Sequence, residues 1–245
     1  MSVITRVSSR DRGTGPAAAT ASPSHGAVAF SEAAQRLLML SPIVLLASMY
    51  GVFRGMTAAF GTQPGFVAAF LVYWAVWGVA VPLWFVGRDG FADLFRPAQR
   101  RSAPFTILAV LALALPVLAG FLFVFPSLYY SADRLLLVFA VYAIVNGMLE
   151  EVYWRGLFVR AFPRDQLLGF LYPAAMFGAW HLVVLSMSGL WPPVAPLYAF
   201  ILAASLGLLY AWVVNRTGSI RWAAASHVLL NLSGMGALII FHPLS

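Results

Sequence analysis

Two adjacent glutamates, Glu150 and Glu151, stand where an apolar stretch of the chain ends, and Arg155 follows the second by four residues. On a helix, Glu151 and Arg155 would share a face in the order that favours an ion pair. Glu150 would point about 100° away from that face, without such a partner. Glu150 is therefore the better general base. The alternative is that both glutamates lie at a membrane interface and extend toward water beside arginines.

Two histidines lie inside later apolar stretches. His181 follows Phe177 by four residues, and His227 precedes Asn231 by four. His227 and Asn231 would share a helix face, where both could donate hydrogen bonds to a developing oxyanion. A structural role is the alternative for each, because His and Asn side chains often join helices through hydrogen bonds in membranes. We interpret Asn146, one turn before the glutamates, as such an interhelical contact.

The composition places most of the chain in lipid. Of its 245 residues, 62% are hydrophobic and 9% are charged, against about 25% charged residues in soluble domains. Ionisable groups inside a membrane are costly to bury, so they mark candidate functional sites. Residues 1–30 are instead rich in Ser, Thr, Ala, Gly and Pro, and we predict a disordered cytoplasmic tail there. We predict one membrane-embedded domain over residues 31–245, with the polar motifs in 146–231.

Seven apolar stretches predict an all-α, polytopic membrane helix bundle of about seven transmembrane helices. The stretches are Leu37–Phe53, Gly65–Val86, Phe105–Phe125, Leu135–Leu149, Leu167–Met187, Val194–Val214 and Trp222–Phe241. Six have the roughly 17–25 residues of a spanning helix. The fourth is too short unless its helix continues through the glutamates, so we predict that they lie near the end of that helix. We also interpret Leu167–Tyr172 as an interfacial run before a helix that begins at Pro173.

The arginines predict the orientation of this bundle. The chain has no lysine, and thirteen of its fifteen arginines fall in the tail and in alternate loops. Basic loops stay in the cytoplasm, so we predict a multi-pass protein of the cell membrane with a cytoplasmic N-terminus and an external C-terminus. At about 1.5 Å per residue, Glu150, His181 and His227 would lie about 8–12 Å below the cytoplasmic face of the membrane. They could then meet in one cavity that opens to the cytoplasm.

Several classes of site are excluded by the residues present. Cysteine is absent, which excludes disulfides and thiolate chemistry. No Asp lies inside an apolar stretch to orient a histidine, as a Ser–His–Asp hydrolase requires. A His-Glu-x-x-His motif is also absent, although Glu150, His181 and His227 could still bind Zn²⁺ with an open position. A metal-free mechanism is equally compatible with these residues. The positive charge is scattered through loops, so we predict no nucleic-acid partner.

Three motifs, in this order, resemble those of the CAAX protease and bacteriocin-processing family of intramembrane proteases, also called the Abi family. They are Glu-Glu-x-x-x-Arg at 150–155, Phe-x-x-x-His at 177–181 and His-x-x-x-Asn at 227–231. The resemblance covers the fourth to seventh apolar stretches. It implies an endopeptidase, of glutamate or metallo type, that acts on membrane-associated proteins or peptides at the lipid bilayer.

The resemblance also implies a role for each motif residue. Glu150 and His181 would activate a water molecule, and His227 with Asn231 would stabilise the oxyanion. The second glutamate and the arginine of the first motif, Glu151 and Arg155, would support the site.

Two other functions stay open: a catalytically silent membrane scaffold or immunity protein of the same family, and a proton or metal transporter. A protease needs its four polar side chains around one point, whereas a transporter needs a path to both faces.

Overall fold

The structure is a computed structural model that describes residues 4–5, 29–123, 125, 136–186 and 195–235, most of them in seven helices. We number the helices α1 (Glu32–Phe60), α2 (Thr62–Leu94), α3 (Ala103–Phe123), α4 (Leu136–Glu151, continued by Val152–Leu157 and Phe158–Ala161), α5 (Leu167–Leu185), α6 (Ala195–Thr217) and α7 (Arg221–Leu230, continued by Asn231–Met235). In length and composition, α1, α2, α3, α5 and α6 could each cross a membrane. The predicted all-α membrane bundle is confirmed.

Near the N-terminus, Ile4–Thr5 pairs antiparallel with Ala29–Phe30. Residues 6–28 lie outside the described part of the chain, so the disorder predicted for the tail stays a prediction. The seventh stretch was predicted to reach Phe241, and its part after Met235 also lies outside the described residues.

The helix continues through both glutamates, as predicted, but the prediction that they lie near its end is wrong. α4 continues past Glu151 to Ala161, and Arg155 in this continuation is only 1% exposed. A buried arginine is compatible with a continuous helix because its charge has a partner one turn earlier, in Glu151. Measured from the C-terminal end of α4, the glutamates therefore lie deeper than the sequence suggested, about 15 Å away.

Two other predicted helix ends also differ from the structure. The helix predicted to begin at Pro173 begins at Leu167 instead, because Asp165 Oδ1 accepts hydrogen bonds from the first amides, Leu167 N and Leu168 N, both at 2.9 Å. This is the usual capping role of an aspartate at a helix start. α2 continues beyond the predicted end at Val86, with a kink at Gly87, where φ is 68°. Glycine adopts this left-handed conformation without steric cost.

π-helical turns interrupt four of the helices, at Trp74–Ala80, Val152–Leu157, Leu167–Leu171 and Asn231–Met235. Such turns are rare and often occur at functional sites. One of them follows Glu151 directly, and another begins at Asn231. The helices thus depart from α geometry next to two of the predicted site residues.

The ends of the helices meet at one face of the bundle, which we name the arginine-rich face and define by residues 93–101, 160 and 216–221. Gln35 near the start of α1 donates to Ala161 O at the end of α4, at 2.8 Å. Arg96 after α2 donates to Gly218 O after α6, at 3.0 Å. The alternation of helix directions that the arginines predict is therefore present. That this face is cytoplasmic stays a prediction.

An aromatic cluster fills the bundle between α1, α2, α4 and α5. Phe70 packs edge-on against Tyr73 and Trp180, with ring centroids 6.1 and 6.3 Å away. Tyr73 and Trp180 stack on each other at 4.3 Å. Tyr and Trp bring a polar atom into an apolar setting, and that atom needs a partner when buried. Both side chains find this partner at the site described next.

Candidate active site

The two glutamates of α4 lie in the centre of the bundle. Glu150 is 2% exposed and Glu151 is 0% exposed, so the alternative that they extend toward water at a membrane interface is wrong. Burying an isolated carboxylate costs several kcal/mol, which makes the partners of each oxygen the central question for this site.

Glu150 Oε1 is bound by donors from two other helices. Trp180 Nε1 on α5 donates to it at 2.9 Å, and Tyr73 OH on α2 donates at 3.4 Å. Trp154 Nε1 in turn donates to Tyr73 OH at 3.2 Å, which fixes the hydroxyl direction toward the carboxylate. One oxygen of Glu150 is thus held by neutral groups inside an aromatic wall.

Glu151 Oε1 has two side-chain partners. Arg155 Nη1 donates to it at 2.9 Å, so the ion pair that the spacing predicts is present. His227 Nδ1 on α7 lies 2.8 Å from the same oxygen. Glu151 therefore connects α4 to α7 in addition to neutralising its own helix neighbour.

The Arg155 guanidinium is held between aromatic rings. Its central carbon lies 4.1 Å from the ring centroid of Phe177 and 5.4 Å from that of Tyr210. Cation–π contacts of this kind are stronger when they are desolvated. Two buried atoms of the pair, Glu151 Oε2 and Arg155 Nη2, have no hydrogen-bond partner among the described residues.

His227 bridges the two glutamates. Its Nδ1 contacts Glu151, and its Nε2 lies 3.4 Å from Glu150 Oε2. Because a carboxylate only accepts hydrogen bonds, Nδ1 carries a proton toward Glu151. A second proton between Nε2 and Glu150 then satisfies the remaining contact. With His227 protonated, the two carboxylates are balanced by Arg155 and the imidazolium.

One ring nitrogen of His181 is held by a carbonyl of its own helix. Its Nδ1 lies 2.9 Å from Phe177 O, a carbonyl that can only accept, so Nδ1 carries the proton and Nε2 keeps its lone pair,. Phe177 also separates the two histidines, since its ring centroid lies 4.7 Å from that of His181 and 6.0 Å from that of His227. His181 is partly exposed, in contrast to the buried glutamates. Its chain neighbour Trp180 makes the direct hydrogen bond to Glu150.

The two asparagines of the site region contact other helices. Asn231 Nδ2 donates to Ala143 O on α4 at 3.4 Å, a long hydrogen bond. Asn146 Oδ1 accepts from Trp74 Nε1 on α2 at 3.0 Å, which is the interhelical contact expected of it. Asn231 thus faces α4 one to two turns before Glu150, and its weak bond leaves the amide able to exchange partners.

The donor set does not fit a bound metal ion. Among the described residues, no three His, Asp or Glu side chains are arranged as a group that could hold one. Both ring nitrogens of His227 face carboxylates, and Glu150 Oε1 is occupied by two N–H or O–H donors. The three zinc ligands considered from the sequence, Glu150, His181 and His227, are therefore not assembled as a coordination shell.

Three residues of the site were not predicted from the sequence: Tyr73, Trp154 and Trp180. Each has a polar atom on an aromatic ring, and Trp180 directly precedes His181. The usable signal is that a buried Tyr or Trp in a spanning helix must find a hydrogen-bond acceptor. The sequence alone does not show which acceptor it finds, because these contacts join helices far apart in the chain.

Comparison with known proteins supports the resemblance seen in the motifs. Residues 132–233 match the family model described as Rce1-like, type II CAAX prenyl endopeptidase Rce1-like. The match covers less than half of the chain but contains α4 to α7 through Ser233, and with them all three motifs. No curated protein and no solved structure matches the chain. Over this part the chain is similar to a protease family, and its apolar helices are those of a multi-pass membrane protein.

Proposed function

We propose that the protein is an intramembrane endopeptidase that hydrolyses peptide bonds of membrane-associated proteins or peptides. One observation carries the proposal: Glu150 is a buried carboxylate whose Oε1 is fixed by Trp180 and Tyr73, so Oε2, which lies 3.4 Å from His227 Nε2, is the oxygen that can exchange a proton. A fixed base in a site without bulk water matches the needs of general base catalysis. The family match supports a protease in general.

In the first step, Glu150 and His181 bind and activate one water molecule. Glu150 Oε2 takes a proton from the water, while His181 Nε2 accepts a hydrogen bond from its other O–H. The oxygen of the water attacks the peptide carbonyl carbon as the C=O bond opens to an oxyanion. The bond of His181 to Phe177 O holds its ring in the tautomer that this step requires.

In the second step, the tetrahedral intermediate collapses. His227 Nε2–H and the Asn231 amide donate to the oxyanion, which then re-forms the carbonyl as the C–N bond breaks. The proton held by Glu150 passes to the leaving nitrogen, which restores the carboxylate. Donors aimed at the developing charge are the largest contribution in many such sites. His227 can donate from Nε2 only when both of its nitrogens carry protons, and its Nδ1 proton lies toward Glu151.

Glu151 and Arg155 support the site without touching the substrate. Arg155 neutralises Glu151, and Glu151 orients His227 much as the aspartate orients the histidine of a serine protease. We propose that the site opens toward the cytoplasm, since the arginine-rich face is predicted to lie there. A partly exposed His181 is consistent with access from one side of the site.

A Glu150→Gln variant tests this function. The amide keeps the shape of the side chain but cannot accept the proton, so cleavage should collapse while the protein stays folded. Membrane fractions from cells that express wild type, Glu150→Gln or Glu32→Gln are compared by peptide mass spectrometry. Glu32 is an exposed glutamate on α1, so its variant is the matched control and should cleave like wild type.

The outcomes of this comparison distinguish a protease from a catalytically silent scaffold. Peptides that require wild type and Glu32→Gln but disappear in Glu150→Gln support the protease. Equal cleavage by Glu150→Gln contradicts the mechanism. Absence of any difference between wild type and cells without the protein would favour the silent scaffold. An Asn231→Ala variant should be less damaged than Glu150→Gln, with the loss of about 10²–10³-fold that is typical of one oxyanion donor.

The arrangement of the possible metal ligands also predicts how the cleavage rate responds to metal removal. Because the described residues assemble no three-ligand set, we expect that dialysis against a strong chelator leaves the cleavage rate unchanged. A loss of activity that added Zn²⁺ restores would contradict this expectation. The same assay on Glu32→Gln controls for nonspecific effects of the chelator.

A further inference from the structure

A polar cavity lies at the arginine-rich face, apart from the buried glutamates. Its volume is ≈ 440 Å³, and it is enclosed by the ends of α2, α4 and α6 and the linkers after α2 and α6. A cavity of this size can hold a small ligand or part of a larger one. Its polar lining consists of two arginines, one carboxylate and three neutral hydrogen-bonding side chains: Arg96, Arg160, Asp93, Gln99, Asn215 and Ser219.

Positive charge exceeds negative charge in this cavity. Asp93 is the single carboxylate in its described lining, and the two arginines share it. Asp93 Oδ2 lies 2.5 Å from Arg160 Nη2 and 3.7 Å from Arg96 Nη1. Arg160 is also tied to Gly90 O at 3.1 Å. One positive charge therefore remains in excess, and the cavity favours an anion.

The side chain of Arg96 is oriented by the linker after α6. Its Nε donates to Gly218 O at 3.0 Å, and Ser219 Oγ donates to the Arg96 carbonyl at 2.6 Å. Gly218 has a φ of 67°, which favours glycine,. A backbone clamp of this kind holds the guanidinium in place before any ligand arrives, which lowers the entropy cost of binding.

Two donor nitrogens converge above Gly218. A Cβ atom at this position would lie 3.0 Å from Arg96 Nη2 and 3.3 Å from Gln99 Nε2. Within the described part of the chain, neither nitrogen donates to an acceptor. Because glycine has no side chain to crowd them, the two N–H groups lie close together against its backbone. An oxyanion in the cavity within reach of both nitrogens would accept from both.

We propose that this cavity binds a phosphate group. A guanidinium matches the geometry of phosphate oxygens and makes charge-assisted hydrogen bonds to them. The Gln99 amide adds a neutral donor beside it. The phosphate could belong to the headgroup of an anionic phospholipid, because basic pockets between membrane helices on the cytoplasmic side suit such headgroups. Inorganic phosphate presents the same oxygens. The site is separate from the proposed proteolysis and does not depend on it.

Thermal unfolding of the full chain in detergent micelles tests the site. Phosphatidylglycerol, phosphatidylcholine, oleate and inorganic phosphate are each titrated at constant ionic strength. A ligand that binds only the folded state raises the unfolding midpoint, and we expect a rise of about 2–4 °C with saturating phosphatidylglycerol. Oleate has a negative charge without a phosphate, so it should protect less. Arg88→Gln removes an exposed arginine outside the cavity and serves as the matched control.

Variants of Arg96 and Gln99 test whether these two donors bind the phosphate. Arg96→Gln should weaken apparent lipid binding by about tenfold or more, since a hydrogen bond to a charged group is lost. Gln99→Glu puts a carboxylate in the cavity at an exposed position, so it stays informative if Arg96→Gln does not fold. Protection by inorganic phosphate as well as by lipid identifies a general phosphate site, and protection by lipid alone identifies a headgroup site. Equal protection of wild type and both variants, or no protection by either phosphate source, overturns the proposal.

Discussion

The Nδ1 atom of His227 lies 2.8 Å from Oε1 of Glu151, a carboxylate that also binds Arg155. Two of the three motifs are therefore joined by a direct contact between α4 and α7. The same histidine faces Glu150 with its other nitrogen. His227 therefore contacts both the supporting Glu151–Arg155 ion pair and the proposed base, Glu150. A substitution that breaks the ion pair should also disturb His227, the proposed oxyanion donor.

Arg155→Ala should destabilise the protein more than Glu150→Ala. Loss of one partner from a buried ion pair costs about 3–5 kcal/mol, because the other charge stays buried. Glu150 has neutral donors at Oε1, and His227, which faces its Oε2, keeps Glu151 as a partner when Glu150 is removed. Thermal unfolding midpoints and folded yields in detergent measure the difference. Arg164→Ala, at an exposed position after α4, should behave like wild type. Equal midpoints for Arg155→Ala and Glu150→Ala would contradict the assignment.

Trp180→Phe should lower the cleavage rate without unfolding the protein. The variant removes the donor to Glu150 Oε1 at 2.9 Å but keeps an aromatic ring against Tyr73. A hydrogen bond to a charged group is worth about 1.5–3 kcal/mol, so we expect kcat/KM to fall by about 10–100-fold. Trp84→Phe, at a half-exposed position, is the control. Loss of fold with no change in the rate of the folded fraction would make Trp180 a packing residue only.

The sequence predicts the ion pair of the site because both of its residues lie on one helix. Glu151 and Arg155 are four residues apart, and a spacing of one turn is enough to predict their ion pair. The same argument predicts which glutamate lacks a cationic partner on its helix. It does not predict the donors to Glu150, since Tyr73 is 77 residues away in the chain. Contacts of this kind depend on how α2 and α5 pack against α4.

Helix length was the least predictable part of the fold. Hydropathy ends the fourth stretch at Leu149 because two glutamates and an arginine follow. The helix nevertheless continues to Ala161, since Arg155 neutralises Glu151 and neutral donors hold Glu150 inside the bundle. A charge that is paired within the protein no longer marks the membrane boundary. Depths counted from apolar stretches are therefore too shallow wherever a site contains buried ion pairs.

Gly207→Ala should destabilise the protein through Arg155. A Cβ at Gly207 would lie 3.2 Å from Arg155 Nη2 and 3.1 Å from the backbone of Ala174. Extra volume in a packed interior costs about 1–3 kcal/mol, and here it also presses on the buried guanidinium. Gly51→Ala on α1 is the matched control, because no atom lies within 4 Å of its added Cβ and alanine favours a helix. A Gly207→Ala variant as stable as Gly51→Ala would show that Arg155 can shift at little cost.

Single-cysteine labelling should place the arginine-rich face in the cytoplasm. The natural chain has no cysteine, so each introduced thiol is the only one. Arg164→Cys and Gln63→Cys change exposed residues near opposite ends of the bundle, Arg164 after α4 and Gln63 at the start of α2. Because basic loops stay in the cytoplasm, an impermeant maleimide should label Gln63→Cys in intact cells and Arg164→Cys only in inverted membranes. The reverse pattern would contradict the predicted orientation and would move the proposed opening of the site to the outer face.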